Sequence, residues 1–342
     1  MQGRDVLILK GDEVLSLLDG RELDLIDLVG RAYTTHARGN STLPHSTFLL
    51  FPHRERDRII ALPAYLGEQF EVSGIKWIAS FPNNINQGIE RASAVLILNS
   101  TETGRPEAIM ESSLISAKRT AASAALAART LHAGGVPSCV GLIGCGPINY
   151  QISRFLLAVW PDVQSFKIFD LSPSRADQFS KEFAKLKPGV RVEIAGSLES
   201  VLRECPVISI ATTAAKPHIS DLSICPPNTT ILHISLRDIS ARAILESENI
   251  VDDKDHICQA ETSVHLAERL VGHRQFIGAT LAEVLTGNKW VREDNGRTVV
   301  FSPFGLGVLD IAVAKFVTTQ AVTAGTGTVI ESFLPEPAVG RA

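Results

Sequence analysis

Apolar positions along the chain change period twice, and each change marks a different kind of structure. The run VLIL near the N-terminus reads as a strand. The stretch from Asp12 to Arg38 then carries apolar residues at helical spacing, with Val14, Leu17, Leu18, Leu25, Ile26, Val29 and Tyr33 on one face. From Leu43 to Asn99 the period shortens: STFLLFP, RIIALPAYL, VSGIKWIAS and ASAVLILN read as strands separated by Pro, Gly and Asn clusters. Strands that follow one another without helices between them predict a mixed or antiparallel sheet. Within VSGIKWIAS the alternation places Ile75, Trp77 and Ala79 on one face and Gly74, Lys76 and Ile78 on the other. An alanine-rich helix follows from Glu111 to Leu131, with Lys118 and Arg119 near its middle.

From residue 138 to about 255 strand and helix alternate. SCVGLIG, SFKIFD, RVEIA, PVISIAT, TILHIS and ENIVDD are the strands, with helices expected from Ile148, Pro173 and Ser197. Such a rhythm predicts a parallel, doubly wound sheet whose ligands gather at the carboxyl ends of the strands. Beyond it, VHLAERLVGHRQF reads as a helix, and FSPFGLGVLDIAVAKFVTTQAV as a glycine-bearing loop and a long helix. The tail GTGTVIESFLPEPAVGRA has turn-forming, polar composition and an expected frayed end.

The 342 residues suit two domains, and 45% hydrophobic with 20% charged residues describes a globular chain able to bury sizeable cores. A net charge of −4 gives no general attraction to nucleic acid or anionic membrane. No long apolar core marks the N-terminus and no run reaches the roughly 18 apolar residues of a membrane helix, so a cytoplasmic location is the default expectation. The 5 cysteines, Cys139, Cys145, Cys205, Cys225 and Cys258, are widely spaced and show neither disulfide nor zinc spacing; they read as buried reduced thiols, and no metal site is expected.

The chemistry begins at Val140–Gln151, VGLIGCGPINYQ. Strand, Gly144-Cys145-Gly146 and helix stand in the order of a dinucleotide site: one glycine lets the chain turn, the next lets pyrophosphate approach the amides of a helix N-terminus. The third glycine position holds Asn149 instead. Asp170, at the tip of the next strand and 24 residues past Gly146, suits an adenosine ribose and disfavours a 2′-phosphate, which selects NAD over NADP. An ordinary tight turn with Asp170 as a helix cap is the structural alternative. Thr212 and Thr213, and the segment Ser235–Asp238, follow two further strand ends and should face the same ligand. Asp238 either caps the stretch from Ala241 or acts on substrate. Asp310 either caps the last helix or faces the ligand. Lys76 shares a face with apolar residues, as an edge-strand lysine or as a catalytic-site cation that holds a carboxylate or polarises a substrate. Spacing alone makes Arg119 a solvated surface residue.

SGIKWIAS, the segment from ERASAVLILN to TETGRPEAIMESSLISAKRTAASAALAA, GCGPINYQ and FSPFGLGVLDIA together resemble the ornithine cyclodeaminase and mu-crystallin family over almost the whole chain. The resemblance implies a Rossmann-type NAD domain over 126–305 and a mixed α/β substrate-binding and dimerisation domain from 1–125 and 306–342. It implies a homodimer, Lys76 and Arg119 against substrate with Arg91 as a further cation, and Asp238 as acid and base. Gly144, Gly146, Asn149 and Asp170 would bind NAD, with Thr212 and Thr213 beside it. DRIIALP, SGIKWI, ERASAVLILN and ESSLISAKRTAA are most similar to the branch that oxidatively cleaves N-(2-amino-2-carboxyethyl)-L-glutamate to 2-oxoglutarate and 2,3-diaminopropionate for siderophores or antibiotics. Ornithine cyclodeamination, another amino-acid or ketimine oxidoreduction, and cofactor binding without catalysis remain open. At the position where the family usually carries a carboxylate-gripping arginine this chain has Leu50, and Arg54, Arg56, Arg58 and Arg91 are the candidates to replace it.

Overall fold

The structure, a computed structural model, describes residues 4–288 and 296–336. The chain divides into two compact units, one made of Met1–Arg21, Thr35–Arg119 and Leu306–Ala342, the other of Glu22–Thr34 and Thr120–Gly305.

The first unit is built on a mixed sheet, eight-stranded among the described residues. Its order is Thr328–Ile330, Val6–Leu9, Pro106–Glu111, Ala92–Asn99, Val72–Ser80, Arg54–Leu66 and Ser41–Thr42, with Thr47–Phe51 also paired to Arg54–Leu66. Val6–Leu9 runs parallel to Pro106–Glu111, and the other pairings are antiparallel. Cross-strand partners share a face, so Leu62, Lys76 and Leu96 stand side by side and all are buried. The helix Gly307–Ala324 packs on these strands. A Cβ at Gly307 would lie 3.3 Å from the Leu62 carbonyl oxygen, so glycine permits the close approach. By length and composition this helix is apolar enough to cross a membrane, a reach the sequence pattern did not suggest, and 56% of it is buried. The opposite sheet face is open, with Trp77 39% and Leu49 43% exposed.

The second unit carries an all-parallel sheet, also eight-stranded among the described residues. Its order is Arg191–Ile194, Ser165–Phe169, Val140–Ile143, Val207–Ile210, Thr230–His233, Val299–Ser302, Glu248–Val251 and Ile277–Thr280. Chain order reverses at Val140–Ile143, whose neighbours are the next strand on one side and the fourth on the other. That is the switch point at which doubly wound sheets open a ligand crevice. The fold is α/β: a Rossmann-type parallel sheet and a mixed α/β unit.

Four local features differ from the sequence pattern. The helical stretch from Asp12 to Arg38 breaks into Gly11–Leu18 and Glu22–Ala37 around Gly20, which takes a left-handed φ of 71°. Glu22–Thr34 groups with the second unit, where the Tyr33 hydroxyl lies 2.7 Å from Ser123 Oγ. Pro106–Glu111 is a strand despite its proline and glutamates, because Val6–Leu9 and Ala92–Asn99 supply its backbone partners. The tail is tied down where Thr328–Ile330 pairs with Val6–Ile8. Its final residues, 337–342, lie outside the described residues.

Candidate functional site

In the second unit the glycine turn is dictated by backbone geometry. Gly144 has φ 93°, and a Cβ there would lie 2.5 Å from the Ala211 carbonyl oxygen. Gly146 is the N-cap of the helix Pro147–Val159, without a side-chain cap, and a Cβ built on it would meet nothing within 4 Å. Open amides at a helix N-terminus beside empty space are what a pyrophosphate needs, so the residues present fit a dinucleotide. The turn opens into a cavity of 870 Å³ lined by Gly144, Gly146, Asp170, Thr212 and Thr213.

Asp170 lines that cavity and also holds the turn in shape: Oδ2 accepts from the Cys145 N–H and Oδ1 from the Ser172 N–H, each at 2.8 Å. Asn149, expected among the cofactor-binding residues, faces inward instead and is fully buried. Its amide donates to the carbonyls of Ile143 at 2.9 Å and Gly144 at 2.7 Å and accepts from Ser209 Oγ at 2.7 Å. Where a third glycine would allow close packing, the asparagine fastens the turn by hydrogen bonds.

Asp238 is not a helix cap, because Ser240 caps Ala241–Leu245 by accepting from the Ala243 N–H at 3.2 Å. Its buried carboxylate takes hydrogen bonds from the hydroxyls of Thr212 on Oδ1 and Ser235 on Oδ2. His233 Nε2 lies 3.4 Å from Oδ2. Burial pushes the Asp238 carboxyl up, but His233 and the two hydroxyls outweigh it and hold it below its ordinary range. The loop is strained as well: Leu236 carries φ 68°, with its carbonyl fixed by the Ser263 N–H at 2.7 Å. Three neighbours escaped the sequence reading. His218 lines the cavity with Nε2 4.0 Å from Asp238 Oδ1, Arg175 lines it beyond Asp170, and His233 ends its strand fully buried. A polar residue closing an apolar strand, as in TILH, was the available signal for the last.

The first unit holds a separate cluster. Lys76 is not on an edge strand: it lies mid-sheet, 2% exposed, with Nζ 2.7 Å from Asp310 Oδ2 and 3.1 Å from Ser116 Oγ. Arg119 is not solvated either. It is 8% exposed, and its Nε donates to Asp310 Oδ1 at 3.0 Å. Asp310 lies one turn inside Gly307–Ala324, whose N-cap is Leu306, so its carboxylate serves the two cations and not the helix end. Two buried cations on one carboxylate leave a positive excess. Burial brings Lys76 down to about 8; Asp310 opposes the fall and Arg119 adds to it.

Leu50 is 66% exposed and pairs across the sheet with Arg58, which in turn pairs with Ser80. Arg91 donates from Nε to Ser80 Oγ at 3.3 Å. Ser80 is two alternations along the strand from Lys76, so Leu50, Arg58, Ser80 and Lys76 share one face. Arg58 Nε is buried without a hydrogen-bond partner, whereas Arg54 and Arg56 are exposed.

The comparisons agree with this architecture. The chain is 27% identical to the N-((2S)-2-amino-2-carboxyethyl)-L-glutamate dehydrogenase of Staphylococcus aureus over 96% of its length and 99% of the relative's. It is similar to the structure of Thermococcus litoralis Delta(1)-pyrroline-2-carboxylate reductase in complex with NADH and L-proline, with TM-score 0.87 and 25% identity over 94% of this chain and 99% of that one. It is also similar to an archaeal alanine dehydrogenase dimer with bound NAD, with TM-score 0.85 and 28% identity over 96% of this chain and 99% of that one. The model of the ornithine cyclodeaminase/mu-crystallin family matches residues 11–325, and the chain belongs to that family.

Proposed function

We propose that this chain is an NAD-dependent amino-acid dehydrogenase that cleaves N-(2-amino-2-carboxyethyl)-L-glutamate to 2-oxoglutarate and 2,3-diaminopropionate. The observation that carries the reading is the buried cluster of Lys76, Arg119 and Asp310, with its positive excess and with Arg58 further along the same sheet face. A substrate with three carboxylates calls for several cations at separate points. Lys76 to Ser80 spans roughly 13 Å along the strand, which distributes them.

NAD, when bound, supplies the hydride acceptor. Gly144, Gly146 and the N–H groups that follow Pro147 in the first turn of its helix would hold its pyrophosphate, with Asp170 at the adenosine ribose and Thr212 and Thr213 beside it. Lys76 and Arg119 grip substrate carboxylates, and Arg91 supports the far end. Asp238, held ionised by its neighbours, takes the proton from the secondary amine, which frees the lone pair as hydride leaves the glutamate Cα. Once that proton has passed to solvent, Asp238 takes a proton from the water that attacks the resulting substrate iminium and returns it to the nitrogen. The carbinolamine then collapses, its hydroxyl proton leaves with the departing amine, and the two products separate. Thr212 and Ser235 keep the carboxylate aimed throughout.

The open apolar sheet face of the first unit supports a homodimer built on it. Leu50 favours the second reading, a cofactor-binding protein with little catalysis, because leucine cannot stand in for a guanidinium.

The test is a panel of amino-acid substrates with NAD, following NADH by absorbance and products by mass spectrometry. NADH accumulating in proportion to 2-oxoglutarate supports the reading. Proline formation from ornithine without net NADH identifies a cyclodeaminase instead, and NADH binding with no turnover of any substrate identifies the non-catalytic reading. Asp238→Asn is expected to remove turnover while NADH binds nearly as before.

A further inference from the structure

The second unit brings together two cysteines that are 66 residues apart in sequence. Sγ of Cys205 lies 3.4 Å from Sγ of Cys139. Cys139 stands half-buried just before the strand Val140–Ile143, and Cys205 is the fully buried C-cap of the helix Leu198–Glu204. Gly141 makes the approach possible, since a Cβ there would lie 3.1 Å from Cys205 Cβ. We propose that Cys139 and Cys205 form a dithiol modification site, converted by a hydroperoxide to a disulfide and restored by a thiol reductant.

Geometry leaves little to move. The sulfurs need only close from 3.4 Å to about 2.05 Å, a shift that small rotations about the two side chains accommodate. The pair is also asymmetric, which sets the order of attack. The hydrogen bond from Cys205 favours the Cys139 thiolate against the cost of burial; with the Ser165 hydroxyl and the Lys167 ammonium helping, Cys139 comes down to about 7. Cys205 is pushed up by the same hydrogen bond and by burial, so it stays protonated while its partner reacts. Cys145, Cys225 and Cys258 are each pushed up to about 12, burial being the largest cause, and stay thiols.

The Cys139 thiolate attacks one peroxide oxygen, the O–O bond breaks, and the departing hydroxide leaves as water after taking a proton; Cys139 is then a sulfenic acid. With the thiolate gone, the hydrogen bond that kept Cys205 protonated is gone too. Cys205 loses its proton, attacks the Cys139 sulfur, and expels hydroxide that leaves as the second water. Two thiols and one hydrogen peroxide become one disulfide and two waters. The residues at the other end of the tethered helix, Ser197, Leu198 and Glu199, line the 870 Å³ cavity, so the cross-link fixes an element that borders it.

The inference is independent of the proposed reaction, because its readout is mass. The native full-length protein, freed of reductant, is treated with stoichiometric hydrogen peroxide, alkylated and mapped by peptide mass spectrometry. The expected result is one linked peptide pair containing Cys139 and Cys205, lighter by two hydrogens and reversed by dithiothreitol. Cys139→Ser is expected to leave Cys205 reduced, and Cys205→Ser to accumulate a sulfenic acid at Cys139 that dimedone captures. Both cysteines remaining fully alkylatable at peroxide doses that oxidise Cys145, Cys225 or Cys258 overturns it.

Discussion

Lys76 has one carboxylate and one guanidinium for neighbours and almost no water, and its charge is therefore conditional. In the unfolded chain it keeps its proton up to about its ordinary 10.5, whereas the folded protein releases it at about 8. Between those values the unfolded state binds more protons, so the contribution of Lys76 to stability rises with pH across that window. Function runs the other way. If Lys76 binds a substrate carboxylate as a cation, KM rises as pH passes about 8, by up to tenfold per pH unit, and Lys76→Arg removes that limb because guanidinium stays charged. Steady-state kinetics across the range decides it; a KM flat through that window rules out the role. Arg58 gives the second prediction at this scale. Removing a charged hydrogen-bond donor to a carboxylate costs about 1.5–3 kcal/mol, so Arg58→Ala is expected to raise KM roughly 10- to 100-fold. Leu50→Arg should leave KM nearly unchanged in the wild-type background and recover most of the loss in Arg58→Ala. An unaltered KM in Arg58→Ala would show that another cation holds that carboxylate. The types of Lys76, Asp238 and Asp310 were legible as chemistry from their neighbours in sequence. That one carboxylate, Asp310, joins Lys76 to Arg119 across separations of 234 and 191 residues was not.

The glycine turn separates two demands that one motif makes on an element. Gly144 is needed by the fold: its left-handed φ and the Ala211 carbonyl 2.5 Å from an added Cβ leave no room for a side chain. Gly146 is not needed by the fold, since a Cβ there meets nothing within 4 Å, and its proposed role is to leave space for the dinucleotide. Gly144→Ala is therefore expected to lower the thermal midpoint together with NADH binding. Gly146→Ala should keep the midpoint within a degree or two, while the NADH Kd, measured by fluorescence titration, rises about tenfold or more, a loss of about 1.4 kcal/mol. Equal midpoints for the two variants would contradict this division. Element types followed from periodicity where the period was long or the burial one-sided, as in Val72–Ser80 and Ser113–Leu131. Pro106–Glu111, Ile277–Thr280 and Thr328–Ile330 went unread because strands of three to six residues carry too little pattern of their own and are fixed by partners elsewhere in the sheet.

At the scale of the whole molecule, the first unit presents an apolar sheet face that includes Trp77 and Leu49. Burying that face between two copies would remove the exposed apolar surface. Light scattering after size exclusion is expected to give twice the chain mass for the wild-type protein and a single chain mass at micromolar concentration for Trp77→Glu. A wild-type monomer would end the dimer proposal. The sequence by itself determined the two sheet types and the position of the glycine turn, because periodicity and glycine spacing are local properties that survive without any partner, and the family through the likeness of segments such as SGIKWIAS, GCGPINYQ and FSPFGLGVLDIA to those of its members. Tertiary structure alone decided that Arg119 is buried, that Asn149 fastens the turn from within, that Arg58 stands opposite Leu50, and that Cys139 meets Cys205. The Asn149 contacts depend on how the turn folds back on its own helix, and the burial of Arg119, the place of Arg58 and the meeting of the cysteines on which distant segments come together. Strand order and register set that proximity, and it cannot be read from the residues between them.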